Sequence, residues 1–347
     1  MATKELVLFK LSDKATSAAS AINITNAKLS AKAIQGATAL TAKGLTNIGG
    51  MCVDYSGNIY VTDYVQHVII KVTEAGKVNT VAGLAGTSGN NSALQNVVCT
   101  AARFNAPKGI ACDKSGNLYV ADSGNNQIRI IRNGKVGVFA GNGARTAGLV
   151  DAASNPLQAQ FNNPTDVAVD NSGNVFVCDT GNHAIRRITG GKVLNIAGGA
   201  TGSKENVKAT NVPGANAIFA SPTGVTVDVA GNVFVMDTGN RKIKKITPKG
   251  WVYLFSGSGS QGRSLGTGTE KAYTCTYEGL INIKTDRNGY VYLLDADSRS
   301  AESRLLKLTP NGIPSVVIDF STATAADDGL QALAVTPAMK VIVGIIE

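Results

Sequence analysis

Histidine is nearly missing from this sequence: His67 and His183 are the only two in 347 residues. A metal centre built on several imidazoles is therefore excluded, and neither histidine completes a Ser-His-Asp or Cys-His set. Aromatic residues are scarce too, at 5% with one Trp. Most of them fall at one recurring strand position (Tyr60, Tyr119, Phe176, Phe234, Tyr292), which reads as core and not as a base-stacking platform. The five cysteines (Cys52, Cys99, Cys112, Cys178, Cys275) are odd in number and widely spaced, so buried free thiols in a reducing compartment fit better than a disulfide framework. No window reaches the roughly 18 to 20 uninterrupted apolar residues of a membrane span. The opening MATKELVLFKLSDK is interrupted by Lys10 and Asp13, which argues against a signal peptide and for an intracellular or virion-associated chain. Charged residues are only 16% against 44% hydrophobic, and that balance excludes a disordered chain.

What the sequence has in quantity is glycine, 39 residues, and most of it is periodic. DYSGN begins at Asp54, DKSGN at Asp113, DNSGN at Asp170, DVAGN at Asp228 and DRNGY at Asp286, at spacings of 59, 57, 58 and 58 residues. An apolar run enters each Asp (GIACD, DVAVD, GVTVD), and a second follows it (NLYVAD, NVFVCD, NVFVMD). A polar turn (SGNN, TGNH, TGNR) then leads to two more runs. The Asp carboxylate can accept nearby backbone N–H groups, and Gly supplies the positive φ of a tight turn, so each unit reads as a four-stranded antiparallel meander. Such a small sheet cannot bury both faces alone, so the units must stack as blades of a β-propeller.

The chain ends complete the count. LAVTPAMKVIVGII matches the first two strands of a unit, with Thr336 in the Asp place, and LVLFKLS matches a third strand, followed by a fourth around Ala21 to Thr25. The expectation is an all-β, six-bladed propeller spanning residues 1–347. Residues 1–27 and 330–347 would together form its closing blade, with N-terminal outer strands paired to C-terminal inner strands and Met1 near Glu347. This closure would remove an open sheet edge.

The recurring string F-N-x-P, hydrophobic-A-x-D-x-S-G-N, hydrophobic-(Y/F)-V-x-D-(S/T)-G-N-x-x-I-R resembles NHL repeats. It runs from Phe104 to Arg129 and from Phe161 to Arg186, and more loosely from Phe219 to Lys244. Ile48 and Leu280 depart from it at the proline, Asn282 at the glycine and Thr336 at the turn Asp. NHL propellers include lyases and hydrolases, RNA-binding domains, receptor sensor domains and interaction modules, so the resemblance implies a fold and leaves function to the residues.

Counting back from each turn Asp places Lys108, Asp166 and Asn282 at the channel mouth, where they are the candidates for polar chemistry. One carboxylate and one amide fall short of the three or four ligands a metal site needs, so no metal or cofactor is expected. His67 and His183 share one repeat position and read as a surface turn choice. The ring of Asp63, Asp122, Asp179, Asp237 and Asp295 precedes polar turns that it can cap. The +9 charge gathers on third strands, including Arg186, Arg187, Lys244 and Lys245, where it would solvate an outer rim, pair with neighbouring Asp side chains, or attract nucleic acid. Four between-blade segments, Leu84 to Arg103, Asn142 to Gln160, Gly199 to Ile218 and Ser258 to Thr276, should decorate one face. The resulting expectation is a non-catalytic structural or protein-interaction propeller that binds a protein partner or joins a larger assembly. Composition also resembles a tailed-phage virion component. A lyase or lactone-hydrolase type enzyme and an RNA-binding NHL domain are the alternatives.

Overall fold

The computed structural model describes residues 5–10, 22–23, 38–43, 47–73, 77–90, 97–142, 144, 146–199, 212–267, 271–296, 303–320, 330–336 and 341–346. The fold is an all-β propeller of four-stranded antiparallel blades. Five blades are each built from contiguous chain. The first comprises Ile48–Val53, Ile59–Asp63, Val68–Val72 and Val78–Ala82, and the third comprises Pro164–Val169, Val175–Asp179, Ala184–Thr189 and Lys192–Gly198. A further four-stranded sheet is assembled from both ends, in the order Leu330–Val335, Val341–Ile346, Glu5–Lys10, Thr38–Lys43. Within it Leu6 lies opposite Ile346 and Lys10 opposite Ile342, antiparallel.

The first-to-second-strand turns form by the Asx chemistry written in the sequence. Asp113 Oδ1 accepts the N–H groups of Ser115 and Asn117, both at 2.9 Å, and its Oδ2 accepts the Asn117 side-chain amide at 2.7 Å. The same bonds recur at Asp54, Asp170 and Asp228. Gly116 and Gly173, both at φ 80°, close their turns in the left-handed region that a β-carbon disfavours. Second-strand aromatics are buried as the period implies, Tyr60, Tyr119, Phe176, Phe234 and Tyr292 all being 9% exposed or less. Apolar clusters form between neighbouring blades: Ile110, Leu118 and Val120 of the second blade pack with Tyr60 and Ile69 of the first.

Two expectations are corrected. The fourth strand of the end sheet is Thr38–Lys43, not residues 21–25. Ile22–Asn23 instead adds a parallel edge strand to Pro314–Phe320 of the fifth blade. Residues 11–21 and 24–37 lie outside the described residues, as do Met1 and Glu347, so their expected proximity is untouched. The between-blade segments also do more than decorate a face: three return to the outer strand of the blade that follows, and the fourth packs back on the outer strand of the blade it leaves. Val97–Val98 pairs with Lys135 and Val136, Ala152 bridges Val193, Val212–Pro213 pairs with Trp251 and Val252, and the single helical turn Lys271–Thr274 packs on Trp251–Ser256. Directly after each segment an aromatic sinks into the blade stack, namely Phe104, Phe161, Phe219 or Tyr277, all at 0% exposure. Covering an outer strand in this way satisfies backbone groups that would otherwise invite another chain.

The innermost strands approach so closely that glycine is required. A β-carbon on Gly109 would stand 2.4 Å from the Asp166 Cα, and one on Gly50 would stand 3.0 Å from the Gly109 Cα. Two outcomes follow. Gly109→Ala should cost about 1–3 kcal/mol in urea unfolding through overpacking against backbone that cannot retreat. Deleting residues 1–43 removes two strands of the end sheet and should lower the melting temperature by more than about 10 °C, at the roughly 2–4 °C per kcal/mol of a chain this size.

Candidate functional site

The most concentrated polar chemistry lies inside the blades. In five blades the second strand carries an aspartate at or near its end whose carboxylate is buried: Asp63, Asp122, Asp179 and Asp237 at 0% exposure and Asp295 at 1%. Strand pairing sets Val120 opposite Arg129, Val177 opposite Arg186 and Val235 opposite Lys244, which aims a third-strand cation at Asp122, Asp179 and Asp237. The ion pairs measure 3.2 Å for Arg129–Asp122, 3.0 Å for Arg186–Asp179, 2.9 Å for Lys244–Asp237 and 2.7 Å for Arg304–Asp295. The first blade carries Ile70 at the cation's register.

Each paired carboxylate also holds the incoming between-blade segment, by accepting a backbone N–H seventeen residues upstream. Asn105, Asn162 and Ala220 each donate at 2.7 Å and Glu278 at 2.8 Å. The cation completes the grip by donating to a carbonyl of the same segment. Arg186 reaches Gln160 O at 3.0 Å and Val150 O at 2.9 Å, Arg304 reaches Thr276 O at 2.9 Å, and Lys244 reaches Ile218 O. It also sits over the buried aromatic, 5.5 Å from the Phe104 ring centre for Arg129, 5.3 Å from Phe161 for Arg186 and 4.8 Å from Phe219 for Lys244. The aspartate ring thus does more than cap a turn: it clasps segment, strand and turn together.

Of the readings open for the basic strand positions, this geometry gives Arg186 and Lys244 the pairing with Asp side chains in place of a solvated rim. Arg186 is 0% exposed and Lys244 1%, so neither can meet a phosphate. Arg187 and Lys245 alternate to the other side of their strands and are half-buried. The Lys245 ammonium stands 5.5 Å from the Phe234 ring centre, and the Arg187 Nε is buried without a hydrogen-bond partner.

The expected mouth residues are likewise drawn into the fold. Asp166 is 7% exposed, and its two oxygens accept the N–H of Val167 at 2.9 Å and of Val225 in the next blade at 3.0 Å. Burial raises its carboxyl above the usual range, while Lys284 and the two amides pull it back. Lys108 is half-buried, and burial lowers its ammonium. Asn282 is 8% exposed with its Oδ1 unpartnered. The charge beside Asp166 is therefore Lys284, which sequence reasoning passed over; its place on a first strand, two residues before the turn Asp286, is the signal that would have found it. His67 and His183 have structural partners. Both sit at positive φ, 58° and 52°, and their Nδ1 atoms accept the N–H of Ala106 at 3.0 Å and Ser221 at 2.9 Å across the blade boundary. Asn126 makes the same link to Asn163 at 2.7 Å. Among the described residues no group of three or more His, Cys, Asp or Glu is placed to hold a metal, and no helix is long and apolar enough to cross a membrane.

Burial raises the Asp122 carboxyl to about 6, against the lowering pull of Arg129 and of the Asn105 and Asn125 donors, and it raises Asp179 and Asp295 in the same direction. The folded state therefore holds the Asp122 proton more tightly than the unfolded chain does. The resulting stability is fully present below about pH 3.8 and is lost as pH rises through about 6. Arg129→Met leaves that carboxylate buried without its cation, and urea unfolding should show a loss of about 3–5 kcal/mol at pH 8. The loss should be smaller at pH 5, where Asp122 takes a proton; an equal loss at both values would contradict this account.

The family model of the teneurin NHL domain matches residues 58–189. Mouse teneurin-3 is 26% identical over 217 residues, covering 60% of this chain, and mouse teneurin-4 is 27% identical over 297 residues, covering 74%. The chain spans only 7% and 11% of the lengths of those relatives. Among solved structures, a catalytically inactive virginiamycin B lyase from Staphylococcus aureus with quinupristin superposes at a TM-score of 0.51 and 14% identity, covering 90% of this chain and 85% of the lyase. A gluconolactonase from Xanthomonas campestris superposes at 0.55 and 12% identity, covering 87% and 86%. At such identities these two structures bear on fold alone. The repeat strings, the blades they form and the teneurin match over residues 58–189 together support an NHL-repeat β-propeller.

Proposed function

We propose that this chain is a six-bladed, non-catalytic interaction propeller spanning residues 1–347, its two ends paired in the closing blade. One observation carries the reading: polar groups that chemistry would need are already committed to holding blades together. Four buried aspartates are spent on cations, Asp166 on the Val225 amide, and both histidines on amides of the following blade. The partner, a protein or a larger assembly, would meet the between-blade segments, where Leu84, Leu149, Val150 and Leu157 stay 37–46% exposed. The NHL likeness to teneurins supports this reading. A place in a virion rests on composition alone. The fold likeness to a lyase and a lactonase keeps an enzyme as the alternative, and the burial of Arg186 and Lys244 weighs against RNA as the ligand.

The test is crosslinking of the full chain in its native extract, compared with a variant carrying Leu84→Glu, Leu149→Glu and Leu157→Glu. Proteins captured by the parent and lost in the folded variant are the expected result. Identical capture by both would remove this face as the interface, and a stoichiometric metal found by elemental analysis would favour the enzyme.

A further inference from the structure

A cross-strand row of side chains recurs in every contiguous blade, on the face that the first four turn toward the blade that follows. It begins at the second-strand aromatic, crosses the third strand and ends on the fourth. The last position is Asn79, Gly137, Leu194 or Ser315 in the other blades, and in the fourth blade it is Tyr253. Tyr253 stands opposite Lys245, which stands opposite Phe234. A second departure from the repeat meets it there. The connection leaving the fourth blade forms the helical turn Lys271–Thr274, which presents Tyr273, 40% exposed, to the same cleft.

The two sides of this cleft come from neighbouring blades and are pinned together. The third-to-fourth-strand turn of the fifth blade supplies Pro310 and Asn311, and the carbonyl of the next residue, Gly312, accepts the Ser256 hydroxyl at 2.9 Å. A β-carbon on Gly312 would stand 2.0 Å from the Phe255 carbonyl oxygen, so the turn seats only as glycine. The cleft measures about 490 Å³, a size that holds a small molecule.

Its polar groups are uncommitted, whereas those of the histidines and of Asp166 are taken up by blade contacts. Among the described residues the Tyr253 and Tyr273 hydroxyls and the Asn311 side-chain amide have no hydrogen-bond partner. The Lys245 ammonium overlies the Phe234 ring at 5.5 Å and donates to no acceptor, and no carboxylate lines the cleft. Phenols, amide and ammonium offer donors and acceptors spread around aromatic walls. A lone phosphate or a hydrocarbon acid would leave most of them unused. A pyranose carries a ring of hydroxyls and an apolar C–H face that can lie on a tyrosine, and a carboxylate on that ring meets the one charge present.

We infer that the cleft between the fourth and fifth blades binds a hexuronate, an acidic pyranose sugar. Its ring lies on Tyr253 and Tyr273, its hydroxyls meet Asn311 and the phenols, and its carboxylate meets Lys245. The site uses none of the leucines assigned above to a protein partner and stands apart from the central channel.

The experiment is saturation-transfer NMR on the full chain with glucuronate, glucose and acetate at constant ionic strength. Both sugars should receive saturation at their ring protons, and glucuronate should bind about two- to fivefold more tightly than glucose, the worth of a partly exposed ion pair. Tyr273→Ala, at an exposed position, should abolish transfer to both sugars in a chain that melts with the parent. Lys245→Met should erase the preference for glucuronate while glucose still binds. No transfer to glucuronate in the parent, acetate binding as tightly as glucuronate, transfer undiminished in folded Tyr273→Ala, or a preference unchanged in Lys245→Met would each overturn the inference. The first two of these need only the parent protein.

Discussion

A carboxylate stripped of its water must be met by other donors, and in this propeller that need organises the blade. The aspartate closing the second strand is buried in five blades, and in four of them it lies between the cation of the next strand and the amide of a segment arriving from the blade before. Buried ion pairs of this kind contribute little net stability, because desolvation offsets most of the attraction. What they contribute is position. The carboxylate cannot be satisfied unless the strand pairing, the polar turn and the between-blade segment all occupy their places, so a wrong register leaves a bare charge in the core.

Around this clasp the other contacts fall into a directional scheme. The turn after the second strand reaches forward through His67, Asn126 or His183 to an amide of the following blade. The incoming segment reaches forward through its aromatic and its edge strand. On the axis side, Asp166 reaches forward to Val225. Blades are thus joined at three radii, by apolar packing, by side-chain acceptors on backbone amides, and by glycine-permitted contact of the innermost strands.

The blade was legible in the sequence because its signals are local. An Asx turn, a glycine at positive φ and alternating apolar residues are each decided within a few positions, and their recurrence near 58 residues shows the stacking. Less legible was whatever depends on partners far along the chain. Arg186 and Lys244 could be read as rim charge, as partners of nearby Asp side chains or as a nucleic-acid surface, because nothing local to the run AIRRIT discloses that Asp179 lies underneath. The same limit hid the edge strands at Val97–Val98 and Val212–Pro213, whose pairing partners lie about forty residues downstream. It also misplaced the outer strand of the end sheet, since Thr38–Lys43 carries no turn motif to mark it. Asp166 and Asn282 were located by counting, but their roles depended on the neighbouring strand. Lys284 was passed over because a lysine in an apolar run is read first as a solvated side chain.

The clasps also set the boundaries of the cooperative unit. Because each aspartate holds an amide seventeen residues upstream, in chain that left the preceding blade, the piece that must form together begins inside the connection and not at the first strand. The sequence repeat and the folding module are out of phase by most of a connection. A recombinant blade cut at the DxSGN periodicity would leave behind the phenylalanine that packs on its buried ion pair and the amide that hydrogen-bonds the carboxylate, whereas one cut just after the fourth strand would carry them along.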